Sequence, residues 1–255
     1  MIDYTGWSFP VALGALLVLA VAIAWIGRLG VRATIPVAAG RAVIQLALVS
    51  LAITAVLSRL VWSLAFVALM LTVAVFTSVR RCRIRAGWPW VAVSMGSGAG
   101  AVLLVIFGSG VAPLTGPAIV PIAGIVIGGS MTAHSLAARR AFDNLREEYG
   151  QFEAALSLGL SPADATTEVV HRRLPEALHP ALDQTKTVGL VTLPGTFVGV
   201  LLGGGSPLQA GASQVLTLIG ILTAQVIVVV LAERFIRSGR LLPTDLREQH
   251  GHAWR

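Results

Sequence analysis

Ser130 and His134 stand one helical turn apart, the spacing at which a hydroxyl and an imidazole on one helix face could act as nucleophile and base. Met131 beside them adds a thioether, so Met131 and His134 together offer a soft and an imidazole ligand to a metal ion. Neither pairing has an obvious acid to orient the imidazole, and both sit where polar residues are expected, at the mouth of an apolar run. Arg41 and Gln45 are a second one-turn pair inside an apolar run. An ionisable residue within a membrane is a functional candidate, but Arg41 follows Pro36 closely enough to snorkel to lipid phosphates, and both readings stand.

Other chemistry is excluded by what is missing. Cys82 is the only cysteine, so one subunit can form neither an internal disulfide nor a cysteine-based metal cluster. His250 and His252 are too few for a metal site. A P-loop needs Gly-Lys followed by Ser or Thr, whereas the sole lysine, Lys186, follows Thr185. The chain is therefore expected to bind no cofactor of its own, and ATP-driven work would need ATP and Mg on a second protein. An intramembrane enzyme would need paired carboxylates, an oriented Ser–His pair or a His-rich metal site, and the sequence offers none of these.

The elements that position these residues are membrane spans. With 55% of residues apolar and 12% charged, the chain belongs to the polytopic membrane class. Apolar runs long enough to cross the hydrocarbon core recur at residues 9–26, 36–57, 60–79, 90–112, 117–136, 187–204 and 212–232. The expected fold is all-α: seven transmembrane helices in one permease domain over residues 1–240, an insertion at about 139–186, and a polar, frayed tail at 241–255. Residues 1–8 carry Asp3 and no Lys or Arg, so they lack the basic region of a signal peptide and the first span is expected to be retained.

The isoelectric point of ≈ 11.1 suggests nucleic acid, yet the arginines flank apolar runs and form no separate basic domain. Their placement is topological. Arg28 and Arg32 follow the first run, Arg80, Arg81, Arg83 and Arg85 the third, and Arg234, Arg237 and Arg240 the last. The opposite loops hold Arg59 alone, so the N-terminus is expected outside and the C-terminus in the cytoplasm. Residues 139–186 then form a cytoplasmic knob between spans five and six.

Within that knob, Phe152, Ala155, Leu156 and Leu158 predict a short amphipathic helix, which Gly159 closes as a left-handed cap. Ser161 is expected to cap the next helix, with Pro162 at its first position and Asp164 facing the positive end of its dipole. Such a knob cannot bury itself in a core of its own size, and its Ala/Leu face suits a groove on a partner. A solvated interhelical loop explains the caps equally well. Inside the spans, Gly195, Gly199 and Gly203 make one smooth face, and Gly96 and Gly100 repeat the device. Pro194, and Pro121 if its helix starts early, would each remove a backbone hydrogen bond and allow a bend.

Three stretches carry a resemblance: Val120-Pro121-Ile122-Ala123-Gly124-Ile125-Val126-Ile127-Gly128-Gly129-Ser130-Met131, Leu156-Ser157-Leu158-Gly159-Leu160-Ser161-Pro162, and Thr185-Lys186-Thr187-Val188-Gly189-Leu190-Val191-Thr192-Leu193-Pro194-Gly195. They resemble the FetB-type permease family, over roughly residues 41–231. The resemblance implies the membrane half of an ABC transporter working with a separate cytoplasmic ABC ATPase, linked to iron export in bacteria and aluminium tolerance in plants. It implies an inner (plasma) membrane location and a homodimer of permeases with two ATPases. Glu153-Ala154-Ala155-Leu156-Ser157-Leu158-Gly159 is also similar to the loop by which importer permeases dock their ATPases, although Leu174-Pro175 lies farther downstream than in that pattern.

The expected ATPase-coupling residues are therefore Phe152, Glu153, Ala154, Ala155, Leu158, Gly159 and Pro162. The expected translocation pathway includes Arg41, Gln45, Ser130, Met131, Lys186, Pro194 and Gly195, with the metal ligands unassigned. Two departures from the family bear on cargo: Gly128-Gly129 replaces a Gly-Asn, and Gly195-Thr196-Phe197 replaces a Gly-Met-Met. Both remove amide or thioether groups that could touch a metal. A non-metal cargo, and a membrane scaffold that transports nothing, are the rival readings.

Overall fold

The computed structural model describes residues 6–84 and 86–250, and among them the chain is helical apart from turns and one isolated bridge. It divides into two compact units, residues 1–58 and 59–255. The first is a hairpin of α1 (Ser8–Ile26) and α2 (Thr34–Ser58), turned by Arg28 and Gly30 at positive φ. Only Ala24 of the two helices is buried within the structure, as expected of helices whose apolar surface is made for lipid.

The second unit is a bundle of α3 (Leu60–Cys82), α4 (Trp88–Gly108), α5 (Gly116–Glu147) and α10 (Pro207–Arg237). Lipid supplies no hydrophobic drive between helices, so close packing must hold them together. The closest approach is at Gly98 of α4, where an added Cβ would lie 2.7 Å from the Ala224 carbonyl oxygen of α10. This corrects the expectation for Gly96 and Gly100, whose missing side chains meet little or nothing. Pro121 does fall inside α5, because that helix begins at Gly116. The same helix runs past the expected end of its span to Glu147, and its extension gives the knob a surface to pack on.

The knob consists of α6 (Tyr149–Ser157), α7 (Pro162–Val170), a 3-10 helix (His171–Leu178) and α8 (His179–Thr187). Contrary to the sequence expectation, it is well buried: Phe152, Ala165, Val169, Val170, Leu174 and Ala177 join the main apolar core against α5 and α10. Ion pairs between Arg140 and Glu176 at 3.4 Å, and between Asp164 and Arg237 at 3.7 Å, tie it to those helices.

After α8 the structure departs from the expected sixth span. Among the described residues six helices are long and apolar enough to cross a membrane, and residues 187–204 do not form one of them. The chain instead makes a tight turn at 188–194, in which the Gly189 N–H donates to the Thr192 carbonyl at 2.9 Å, then the eight-residue α9 (Gly195–Leu202). A turn follows, and Ser206 and Gln209 close a reciprocal capping box at the start of α10. The tail is also more ordered than expected: Leu241, Leu242 and Leu246 are buried, and α11 (Thr244–His250) is held to α5 by Arg146 and Asp245 at 2.7 Å. Residues 251–255 of the expected tail lie outside the described residues.

Candidate functional site

The knob carries the first candidate site. Local chemistry shapes its tip as the sequence predicts. Gly159 has φ +88, its N–H donates to the Leu156 carbonyl at 2.9 Å, and the Leu160 N–H donates to Ala155 at 3.1 Å, a Schellman ending for α6. The Ser161 hydroxyl accepts from the Asp164 N–H at 3.2 Å and donates to the Asp164 carboxylate at 2.6 Å, with Pro162 opening α7. Between the two helices, Leu158 stands 82% exposed beside Gly159, whose missing Cβ would meet nothing within 4 Å. Glu153 and Ala154 are exposed, and Ala155 and Pro162 half-buried.

Phe152 is the exception among the expected docking residues. It is 1% exposed, with its ring 5.9 Å from that of Tyr149, so it anchors the knob from inside. Burial, then the hydrogen bond and charge of Glu153, push the Tyr149 phenol up from its ordinary value. The available tip is small and apolar, set among polar groups on helices packed against α5 and α10.

A second group of residues lies inside the bundle. Ser78 Oγ of α3 is 2.8 Å from His134 Nδ1 and 3.1 Å from Ser135 Oγ of α5, all three buried. Ser130 is buried one turn away, but its hydroxyl and His134 Nε2 have no hydrogen-bond partner, so the expected nucleophile and base do not form a pair. Met131 is half-buried beside them. Ser78 and Ser135 escaped the sequence reading because a serine in an apolar run gives no sign of which helix it will face. Among the described residues, no three His, Cys, Asp or Glu side chains gather where they could hold a metal ion.

The third candidate is the break. Lys186, in the last turn of α8, lies 3.8 Å from Asp183, and both side chains are mostly exposed. Pro194 occupies the N-cap position of α9 with ψ 157, so it starts a helix where a bend within one was expected. An added Cβ would meet open space at Gly195 and Gly199 and the preceding turn's carbonyls at Gly203, so among the described residues this glycine face makes no close contact with another helix. Leu190, Val191 and Leu193 of the turn are strongly exposed. Arg41 and Gln45 are exposed on α2, in the first unit.

His171 Nδ1 sits 2.8 Å from Glu233 Oε1, which fixes how far the chain must travel before α10 begins. Glu233 lies about 39 Å along α10 from Pro207 at the helical rise per residue. The 3-10 helix, α8 and α9 each pack against α10 on the way, so a series of short helices interrupted at 188–194 climbs its length.

Long apolar helices packed around a largely apolar core, together with the family and relatives that the chain matches, define a multi-pass helical membrane protein of the inner membrane. Over residues 9–239 the chain matches the model of UPF0014, described as an uncharacterised protein family, and it belongs to that family. It is 33% identical over 216 residues to the rice UPF0014 membrane protein STAR2, covering 84% of this chain and 76% of that one. Identity is 29% over 216 residues with Protein ALUMINUM SENSITIVE 3 of Arabidopsis thaliana, covering 84% of this chain and 79% of the relative. With the probable iron export permease protein FetB of Escherichia coli it is 28% over 221 residues, covering 84% and 83%. No solved structure matches the chain.

Proposed function

We propose that the chain is the membrane-spanning permease subunit of an ABC transporter, exporting an iron-like metal ion with ATP hydrolysed on a separate cytoplasmic subunit. The observation that carries this reading is the knob tip: an exposed Leu158 beside an open Gly159, fixed by two helix caps on a scaffold packed against α5 and α10. A rigid lever with an apolar tip can pass a partner's movement into the bundle, which a frayed loop cannot. The permease named among the relatives supports the transport class and suggests the cargo.

In this reading the N-terminus is outside, the C-terminus is cytoplasmic, and the climb from α8 through α9 is a seventh, broken crossing. Non-helical backbone at membrane depth must face protein or water, since lipid leaves its polar groups unsatisfied. The exposed turn at 188–194 therefore supports a second permease beside the first, in an assembly of two permeases with two ATPases. Arg41, Gln45, Ser130, Met131, Lys186, Pro194 and Gly195 remain the proposed pathway. Gly128-Gly129 and Gly195-Thr196-Phe197, which lack the amide and thioether groups of the family pattern, favour one alternative, a non-metal small molecule as cargo.

Leu158→Asp tests the lever. The side chain is exposed, so membrane insertion should match wild type, while co-purification of the ATPase and transport-coupled ATP hydrolysis should fall, binding weakening by about 1–3 kcal/mol. Normal recruitment and stimulation of the ATPase by this variant would leave a scaffold with a solvated loop as the better reading.

A further inference from the structure

At one end of the second unit, where α3 stops, a recess of about 310 Å³ opens between α3, α5 and α11. Arg81 and Arg83 line it from the end of α3, Arg139 and Arg146 from α5, with Asp143 and Asp245 opposite. The buried Cys82 and Phe142 complete its wall. Arg146 binds both aspartates, Asp143 at 3.0 Å and Asp245 at 2.7 Å. That leaves Arg81, Arg83 and Arg139 without an ion-pair partner among the described residues, around a cavity of the size that small polar ligands occupy. Arg83 ends α3 at φ +55, and it also lines the adjoining recess that Thr244 and Glu248 share.

The depth of this recess is marked by its neighbours. Trp90 stacks under the Arg240 guanidinium at 4.6 Å and lies 4.9 Å from the Phe235 ring, while Trp88 at the start of α4 is 51% exposed. Tryptophan beside arginine at the ends of apolar helices marks the headgroup level of a bilayer. Three guanidiniums without an ion-pair partner, a net excess of two positive charges over the two aspartates, face a layer rich in phosphodiesters at that level, and a guanidinium fork matches phosphate oxygens in pairs.

We propose that the Arg81–Arg83–Arg139 recess binds the phosphate of an anionic phospholipid headgroup. The shared chemistry is a phosphate anion, available from lipid or from solution, and lipid is favoured because the recess opens beside the aromatic belt. This inference rests on membrane placement alone, so its failure would leave the transport reading standing, and failure of the Leu158 test would leave this one.

The full chain should be placed in nanodiscs of phosphatidylcholine with and without phosphatidylglycerol, and the lipids retained on release counted by native mass spectrometry. Phosphatidylglycerol should be retained preferentially, and Arg81→Gln and Arg139→Gln should each weaken its retention roughly five-fold. Arg139→Lys should keep more of it than Arg139→Gln. If the glutamine variants fail to insert, a salt titration of wild type decides, since headgroup retention must fall as salt rises. Equal retention of both lipids, unchanged retention in the two glutamine variants, or salt-independent retention each overturns the proposal. Complete displacement by millimolar inorganic phosphate would assign the recess to a soluble anion and overturn the lipid reading.

Discussion

Ser78 is the residue on which the packed interior depends most narrowly. Among the described residues its hydroxyl is the one partner of a fully buried imidazole whose other nitrogen already lacks one. Ser78→Ala should therefore cost about 1–2 kcal/mol, read as a lower thermal unfolding midpoint in detergent. An unchanged midpoint would mean that a bound water already satisfies the ring. The same scale shows where sequence reading stops. Gly159 and Ser161 were legible because their caps involve only near neighbours in the chain. Phe152 was not: an amphipathic helix announces an apolar face without saying whether α5 or another protein covers it, and here the ring is buried at home. Gly98 likewise carries the closest helix contact while Gly96 and Gly100, better placed by spacing rules, carry little or none, because the facing helix was unknown.

Among the elements, α11 makes the clearest claim about conditions. Burial pushes the Asp245 carboxyl up, but the hydrogen bond and charge of Arg146 outweigh it and hold the group below its ordinary value. A depressed carboxylate contributes its stability above the unfolded-state pKa, about 4, and loses it as pH falls through the lower folded value. The helix should thus stay latched to α5 at neutral pH and loosen in acid. Hydrogen exchange in α11, corrected for intrinsic rates, should rise below about pH 4, and Asp245→Asn should reproduce that rise at pH 7. Equal protection in the variant would show that buried Leu241, Leu242 and Leu246 hold the tail without the ion pair. Their burial explains why a polar composition misled: three leucines spaced among charges suffice when a core edge is waiting for them.

For the whole molecule, composition and arginine placement made the membrane class and the helical architecture legible, since both follow from solvent rather than from particular contacts. Pro194 pointed to a bend in the sixth run, but a full interruption was hidden, because residues 187–204 are as apolar as a continuous span, and only the Gly189 turn and the cap of α9 show it. That interruption makes topology a decisive measurement. Six long helices alone would return the chain to its starting side, whereas a crossing made of α8, the turn and α9 puts the two ends on opposite sides. The distance along α10 between Glu233 and Pro207, about 39 Å, exceeds the hydrocarbon thickness, so the climb is long enough to cross. In a Cys82→Ala background, Trp7→Cys should react with an impermeant thiol reagent in intact cells, and Glu248→Cys only after permeabilisation. Labelling of both from the same side would mean that the climb turns back within the membrane, and the orientation deduced from the arginines would fall with it.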